Sequence, residues 1–171
     1  SVSGPCPILI KKINMKRADL IPQKIISREQ ARQQVAQWKA LGQKVAFTNG
    51  VFDLLHPGHI FSLSEAAREG EYLVVGLNAD ASVKRLKGDS RPVNNQESRA
   101  ILLASLLMVD AVVLFEEDTP LELITTILPD VIVKGGDYTP EQVAGGREVI
   151  AAGGKVVINP ILEGYSTTAL I

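Results

Sequence analysis

The only two histidines of the chain, His56 and His59, flank a proline-glycine pair within the stretch TNGVFDLLHPGHI. Proline favours the first position of a helix because it has no amide N–H to leave unpaired, so the stretch predicts a helix that begins at Pro57. Side chains three residues apart share one side of a helix, whose start carries unpaired N–H groups and the positive end of the dipole. The pair therefore indicates a site in which two imidazoles and a helix start bind an anion.

A zinc site and a serine hydrolase site are the other chemistries that a histidine pair suggests. Zinc needs further protein ligands, but Cys6 is the only cysteine and no third ligand is evident near the pair. A serine nucleophile would need a Gly-x-Ser-x-Gly elbow, which the sequence lacks. An isolated histidine most often has a structural role, whereas two at a strand-to-helix junction favour a binding site. We therefore predict no protein metal site.

Short apolar runs rich in β-branched residues alternate with stretches of helical periodicity. The predicted strands are 44–49, 72–78, 110–115, 130–135 and 155–160. The predicted helices that follow them are 57–69, 95–107, 119–127 and 140–152, and a capping box at Ser27 and Gln30 starts an earlier helix. This alternation predicts an α/β fold with a doubly wound, five-stranded parallel sheet and helices on both faces. Sites in such folds lie beyond the carboxyl ends of the strands, where the strand order reverses.

Size and composition fit one domain in a reducing compartment. The 171 residues, 46% of them hydrophobic, suit a single domain, which we place at 26–171 after an N-terminal extension or linker at 1–25. A formal net charge of -1 gives no field that would attract nucleic acid or an anionic membrane without a specific site. One cysteine excludes an internal disulfide, and no apolar run is long enough to span a membrane. We expect a cytoplasmic protein without nucleic-acid or membrane partners.

A basic segment follows the second predicted strand. The stretch NADASVKRLKGDSRPV, residues 78–93, contains four cations, Lys84, Arg85, Lys87 and Arg91. Charge alone is typical of a solvated surface loop. However, the carboxyl end of this strand lies beside that of the histidine strand in the predicted sheet. We therefore predict a loop whose cations neutralise phosphates in the same crevice.

Two further stretches lie at the same predicted edge. VKGGDY, residues 133–138, places a lysine, two glycines and an aspartate after the fourth strand, although the glycines also suit a tight turn. EGYSTTALI, at the end of the chain, contains three consecutive hydroxyl side chains, at 166–168. Hydroxyls at a helix start act as N-caps, and together with free amides they also form a phosphate cradle.

The stretch TNGVFDLLHPGH resembles the signature of the nucleotidyltransferase superfamily that shares a His-x-Gly-His motif with class I aminoacyl-tRNA synthetases. SVKRLKG, followed by RPV, is most similar to the heptose 1-phosphate adenylyltransferases of this superfamily, and the similarity extends from about Ile26 to Ile171. The resemblance implies a Rossmann-like fold and Mg²⁺-dependent transfer of AMP from ATP to heptose 1-phosphate without a covalent intermediate. The products would be pyrophosphate and ADP-heptose, a precursor of lipopolysaccharide or another surface glycan.

The resemblance also implies a role for each matching residue. The implied catalytic residues, which stabilise charge during attack on the α-phosphate, are His56, His59 and Lys87. The implied nucleotide-binding residues are Thr48, Asn49, Gly50, Phe52, Gly58, Arg91, Arg99, Ser166, Thr167 and Thr168. The implied substrate-binding residues are Asp53, Lys84, Lys134, Gly135 and Asp137.

Structural roles remain alternatives for several of these residues. Arg99 is equally suited to capping or ion-pairing the helix that it begins, and Phe52 is more typical of a core residue. Asp53 is expected to orient the turn ahead of the histidines through backbone hydrogen bonds. Gly135 suits a turn as well as a ligand.

Several partners and alternative functions follow from the resemblance. It implies a homo-oligomer and, because no kinase lies within these residues, a separate heptose-phosphate kinase that supplies the substrate. The main alternative is a CTP-dependent cytidylyltransferase that acts on glycerol 3-phosphate or another alcohol phosphate. A non-catalytic nucleotide-binding module is the second alternative. The motifs do not distinguish adenine from cytosine.

Overall fold

Helices and strands alternate along the part of the chain that the computed structural model describes, residues 18–161 and residue 164. The strands are β1 (Val45–Gly50), β2 (Tyr72–Asn78), β3 (Ala111–Phe115), β4 (Val131–Gly135) and β5 (Lys155–Asn159). The helices are α1 (Leu20–Gln23), α2 (Arg28–Ala40), α3 (Pro57–Ala67), α4 (Asp80–Lys87), α5 (Gln96–Ala104), α6 (Leu121–Ile127) and α7 (Gly146–Ala151), with a short 3-10 helix at Pro140–Gln142. The strand bounds agree with the sequence prediction to within one residue.

The five strands form one parallel sheet in the order β3-β2-β1-β4-β5. The chain runs outward from β1 through β2 to β3, and then returns to the other side of β1 for β4 and β5. The strand order therefore reverses between β1 and β4, which is the switch point at which doubly wound folds bind ligands. The predicted α/β fold class is confirmed.

Each face of the sheet is covered by helices, which explains the nearly continuous hydrophobicity of the strands. Helices α2, α6 and α7 pack on one face, where Val35, Phe47 and Leu123 are fully buried. Helices α3 and α5 pack on the other face, with Leu63 and Leu103 in its core. Successive strand residues point to opposite faces, so burial on both sides requires an apolar side chain at nearly every position.

The basic segment at 78–93 is not the loop that we predicted, because eight of its residues form α4. Ser82 and Val83 are buried on the inner side of this helix, while Asp80 at its start and the cations at its end complement the helix dipole. Gly88 then ends the helix with a positive φ of 96°. The cations thus extend from a helix whose position is fixed by packing.

The helix predicted at 140–152 is also wrong in part, because it is interrupted after Pro140–Gln142 and resumes only at Gly146. Gly145 adopts a left-handed conformation with φ of 78°, which breaks the helical path. A Cβ atom at this position would lie 2.5 Å from the Ile124 side chain of α6, so only glycine fits there. The helices predicted at 57–69, 95–107 and 119–127 are all present but shorter.

Residues 18–25, which the sequence prediction assigned to an extension or linker, pack on the sheet and its helices. Ile25 forms a β-bridge with Val112, and Lys24 Nζ donates to the carbonyl of Leu106 at 3.2 Å. The fold thus includes part of the predicted extension, and residues 1–17 lie outside the described range. None of the helices in the described ranges has both the length and the apolar character that a membrane span requires.

Candidate functional site

The two histidines lie at the start of α3, directly after the loop that leaves β1. His56 is the N-cap and Pro57 the first helical residue, as the sequence predicted. The two imidazole rings stack with their centroids 3.8 Å apart and an interplanar angle of 25°. Both side chains are only partly buried, so neither ring is sealed inside the apolar core. The predicted pairing of the imidazoles is present in the structure.

Backbone hydrogen bonds fix the orientation of both rings. Nδ1 of His56 accepts from the amide of Gly58 at 3.1 Å, and Nδ1 of His59 accepts from the amide of His56 at 3.3 Å. This is a reciprocal capping box in which imidazoles replace the usual oxygen acceptors. Because a neutral imidazole has one N–H, and Nδ1 is the acceptor in both rings, each neutral ring carries its proton on Nε2. The pair therefore provides two oriented N–H donors.

His59 is in a setting that favours its neutral form. Burial, together with the charge of His56, lowers the pKa of His59 to about 4 from its ordinary value of 6.5. The ring of Phe52 contacts the His59 ring edge-on, with centroids 5.3 Å apart. At neutral pH, His59 thus acts as an uncharged hydrogen-bond donor and needs no proton uptake before it binds an anion.

A cavity of about 460 Å³ opens at the carboxyl edge of the sheet, across the switch point between β1 and β4. Its floor is formed by the end of β1, and one side by the end of α4 together with the segment after β3. Its other side is formed by the segment after β4. Four of the predicted site residues line it, namely Asn49, Gly50, Lys87 and Lys134. The histidines do not line this cavity, and they follow Gly50 by six and nine positions in the chain.

Lys134 is the cation on the β4 side of this cavity. Burial lowers the pKa of its ammonium group, because the charged form loses hydration. Its Nζ lies over the ring of Tyr138, 5.3 Å from the ring centroid. Within the described residues it forms no ion pair with a carboxylate. The adjacent Gly135 is the last residue of β4, paired with Asn159, and Asp137 is exposed.

The carboxylate of Asp53 is engaged by backbone and side-chain donors of the protein, in the structural role that the sequence also predicted for it. Its carboxylate is 1% exposed and accepts from the amides of Val93 and Asn94, both at 2.9 Å, and from Arg91 Nε at 2.8 Å. Burial acts to raise the pKa of Asp53, but the two amides and the guanidinium outweigh it and hold the pKa below its usual range. Asp53 therefore fastens the segment after α4 to the loop before the histidines. This segment includes Arg91, one of the predicted nucleotide ligands.

Arg99 is fully buried, and its guanidinium is engaged by the protein rather than by the cavity. It donates to the carbonyls of Asn94, Val51 and Asn78 at 2.9, 2.9 and 2.7 Å. It also forms an ion pair with Asp80 at 2.7 Å. The structure thus favours the alternative that the sequence left open, a structural arginine, over direct contact with the nucleotide.

The remaining predicted residues lie in several different elements. Phe52 has a positive φ of 47° and packs against the core on the α3 side, and a Cβ at Gly50 would lie 2.9 Å from its ring. Thr48 belongs to β1, and Gly58 is buried in the first turn of α3. Lys84 lies in the last turn of α4. The three hydroxyl residues Ser166, Thr167 and Thr168 lie outside the described residues.

Asp118 and Tyr138 line the cavity, but the sequence analysis did not identify them as ligands. Asp118 follows β3 and Tyr138 follows β4, so both occupy the edge where ligands bind in this fold. Because each follows a predicted strand, the sequence could have indicated that both lie at this edge. The described residues contain no cluster of three or more histidine, cysteine or acidic side chains that could bind a metal ion.

A family model described as cytidylyltransferase-like matches residues 47–171. Similar curated proteins are named bifunctional protein HldE. The one from Rhodospirillum rubrum is 50% identical over 167 residues, which are 98% of this chain and 34% of the relative. The one from Bradyrhizobium diazoefficiens is 59% identical over 138 residues, which are 81% of this chain and 28% of the relative. The chain therefore spans about a third of the length of these curated relatives.

Two solved structures are similar to this fold. The lipopolysaccharide core biosynthesis protein from Thermoplasma volcanium is 29% identical, with a TM-score of 0.58 over 72% of this chain and 99% of that chain. Pantoate-beta-alanine ligase from Francisella tularensis is 17% identical, with a TM-score of 0.56 over 80% of this chain and 66% of that chain. The second likeness shows the shared fold alone.

Proposed function

This chain belongs to the cytidylyltransferase-like family and is a nucleotidyltransferase, and on that premise we propose that it transfers AMP from ATP to a heptose 1-phosphate. The products are ADP-heptose and pyrophosphate, and the ADP-heptose would serve as a precursor of lipopolysaccharide or another surface glycan. The similarity of SVKRLKG and the following RPV to the heptose 1-phosphate adenylyltransferases supports the heptose substrate. The observation that carries the proposal is the pair of imidazoles whose Nδ1 atoms are fixed by backbone amides.

The proposed reaction is one direct displacement at phosphorus. An oxygen of the heptose phosphate attacks the α-phosphorus of ATP, and the bond from that phosphorus to the bridging oxygen of the β-phosphate breaks. The electron pair leaves with pyrophosphate. The attacking oxygen is already ionised at neutral pH because the second pKa of a phosphate monoester is about 6. The protein therefore needs neither a nucleophile nor a general base.

Stabilisation of charge is the contribution that this site can make. Negative charge spreads over the oxygens of the α-phosphate during attack, and hydrogen-bond donors that are already oriented stabilise it without reorganising. We assign this role to the Nε2–H groups of His56 and His59. Lys87, Lys134 and Arg91 would neutralise the other phosphates of the two substrates.

The backbone around the first strand would complete the nucleotide site. Asn49 and Gly50 line the cavity at the end of β1, and Thr48 precedes them in the strand. The glycine and the backbone amides there would let phosphates approach closely. Lys84 extends from the last turn of α4 beside Lys87 and adds positive charge. Roles for Gly58, Gly135, Asp137 and the hydroxyls at 166–168 stay predictions.

Mg²⁺ would enter with ATP as the companion of its phosphates. Magnesium retains several waters and is often held by one or two carboxylates together with substrate phosphates, so a dedicated cage of protein ligands is not required. The absence of such a cage in the described residues is compatible with this mode of binding. The ion would supply additional neutralisation of the triphosphate.

A kinase that makes heptose 1-phosphate is the pathway partner that we propose. The sequence prediction placed it on a separate protein, whereas the curated relatives are named bifunctional and are about three times as long as this chain. We propose that this kinase supplies heptose 1-phosphate, whether it lies on a separate protein or on the same chain. Homo-oligomerisation and a cytoplasmic location stay predictions.

Pyrophosphate release tests the proposed function. Purified protein with Mg²⁺ is given ATP or CTP, each with heptose 1-phosphate or glycerol 3-phosphate. We expect turnover with ATP and heptose 1-phosphate to exceed that of the other three pairs by orders of magnitude. Turnover only with CTP and glycerol 3-phosphate would replace the proposal by the cytidylyltransferase alternative. No turnover with any pair would favour the non-catalytic module.

A further inference from the structure

One side of the cavity contains a carboxylate, although two phosphorylated substrates must enter it. Asp118 and Thr119 line this side together with Lys87 from α4. A carboxylate repels phosphate oxygens, so its position in an anion-binding cavity needs another explanation. Carboxylates accept hydrogen bonds, which suits a ligand that carries donors.

Arg85 orients this carboxylate from outside the cavity. Its Nε lies 2.9 Å from Oδ1 of Asp118, and its Nη2 donates to the carbonyl of Glu116. The guanidinium therefore joins the last turn of α4 to the segment after β3. Among the described residues, no hydrogen bond is formed to Oδ2 of Asp118, whose side chain is 63% exposed. Oδ2 is available to a ligand.

Two groups of the substrates carry donors that Oδ2 could bind, the hydroxyls of the acceptor sugar and the amino group of the base. The opposite side of the cavity offers the ring of Tyr138 and the apolar residues Val143 and Ala144, which suit a planar base. Asp118, in contrast, lies on the same side as Lys87, the predicted phosphate ligand. A sugar is attached directly to its phosphate, so its hydroxyls fall near a carboxylate that adjoins a phosphate-binding lysine.

We propose that Asp118, oriented by Arg85, selects an acceptor that carries several hydroxyl groups. Its Oδ2 accepts hydrogen bonds from sugar hydroxyls, while Lys87 binds the phosphate of the same molecule. Arg85 acts as a positioning residue because it contacts Asp118 and not the substrate. This inference rests on the proposed function, in which the acceptor is a sugar phosphate.

Steady-state kinetics of Asp118→Asn test the inference. The substitution keeps the size of the side chain but weakens its acceptor strength, and a hydrogen bond to a charged group contributes enough to change KM about ten- to a hundredfold. We expect KM for heptose 1-phosphate to rise by that factor while KM for ATP is unchanged. Glu116→Gln is the matched control, because it removes the same charge from an exposed side chain two residues away. An increase in KM for ATP instead, or no change in either KM, would overturn the inference.

Arg85→Ala tests the positioning role. It should raise the same KM by a smaller factor, and combining it with Asp118→Asn should add little, because both changes act on one interaction. Fully multiplicative effects would contradict the link between the two residues. Circular dichroism of each variant checks that the fold is intact.

Equilibrium binding separates this inference from the proposed function. Mannose 1-phosphate and methyl phosphate carry the same phosphate ester, but only the first has sugar hydroxyls. By calorimetry, wild-type protein should bind mannose 1-phosphate at least about tenfold more tightly, and Asp118→Asn should lose this preference. Equal binding of the two esters by the wild type would overturn the inference even if heptose 1-phosphate turns over. A preference that depends on Asp118, without pyrophosphate release, would support it while refuting the proposed reaction.

Discussion

Replacement of either histidine by asparagine should separate catalysis from folding. The Oδ1 of asparagine is bonded to Cγ, as the Nδ1 of histidine is, so it can accept the same backbone amide. His59→Asn then keeps the acceptor for the amide of His56, and His56→Asn keeps the acceptor for the amide of Gly58. Neither variant has a donor at the position of Nε2. Asparagine is also among the best N-cap residues, which suits position 56.

The two asparagine variants should have a large effect on kcat and a small effect on the free energy of unfolding. Loss of one oriented donor to a developing oxyanion typically lowers kcat by about 10² to 10³-fold, so each variant should lose that much. The capping acceptor is retained, and the free energy of unfolding should change by less than about 0.5 kcal/mol. His59→Ala is the informative comparison, since it loses both the donor and the acceptor. It should therefore match His59→Asn in kcat but unfold about 1 kcal/mol more easily.

Pyrophosphate release at saturating ATP and heptose 1-phosphate measures kcat, and urea titration of the same preparations measures stability. A fall in kcat of only a few-fold for His59→Asn would refute the role of Nε2–H in the transition state. Equal stabilities of the asparagine and alanine variants would show instead that the capping hydrogen bond contributes little.

The pH dependence of stability and the buried arginine give two further predictions. In the unfolded chain His59 has its ordinary pKa of 6.5, whereas in the folded chain its pKa is about 4. As the pH falls, His59 therefore takes up a proton in the unfolded chain at a higher pH than in the folded chain. The free energy of unfolding should therefore fall as pH drops from 6.5 to 4, by less than about 1.4 kcal/mol per pH unit because the ring is partly exposed and solvent screens its charge, and a wild-type curve parallel to that of His59→Asn would contradict this. Arg99→Met should cost about 3–5 kcal/mol by urea titration, because it leaves buried carbonyls and Asp80 without their donor. Exposed Arg32→Met is its control and should not move the midpoint, and an equally small effect of Arg99→Met would contradict the structural role.

Elements whose partners are local in the sequence were the ones that could be predicted. The strand β2 was predicted with its observed bounds because a strand buried on both faces is apolar along its whole length. The start of α3 follows from Pro57, and that of α2 from the capping box of Ser27 and Gln30, which the structure contains. Each signal lies within four residues of the feature that it specifies.

Elements that depend on distant contacts could not be predicted in this way. Helix α4 has a mostly polar sequence, DASVKRLK, and buries only Ser82 and Val83, so its apolar period is too short to indicate a helix. The interruption before α7 depends on how closely Gly145 approaches α6, which is remote in sequence. Local propensity gives no information about either contact.

The same distinction applies to the candidate site. The imidazole pair could be predicted because its spacing and its helix start are local. For Asp53 and Arg99 the resemblance implied ligand contacts, while the sequence left structural roles open as alternatives. Several of their partners lie far along the chain, the amides of Val93 and Asn94 for Asp53 and the carbonyl of Val51 for Arg99, so the sequence alone could not decide between the two roles. The spacing of charged residues in the sequence does not show which of them bind a ligand and which hold the ligand-binding loop in place.

These buried charges explain how a loop can hold the two imidazoles in a defined position. The loop before α3 is tied through the carbonyl of Val51 to Arg99 and through Asp53 to the segment that includes Arg91. Misplacement of reacting groups by about 1 Å can cost a hundredfold in rate. The histidines gain their orientation from backbone amides at the start of α3, and this loop leads directly into that start. Any loosening of the loop would therefore displace both Nε2–H donors together. Buried ion pairs by themselves are weak evidence for stability. The pairs of Asp53 with Arg91 and of Arg99 with Asp80 are better explained as contacts that hold the loop, and with it the imidazole pair, in place.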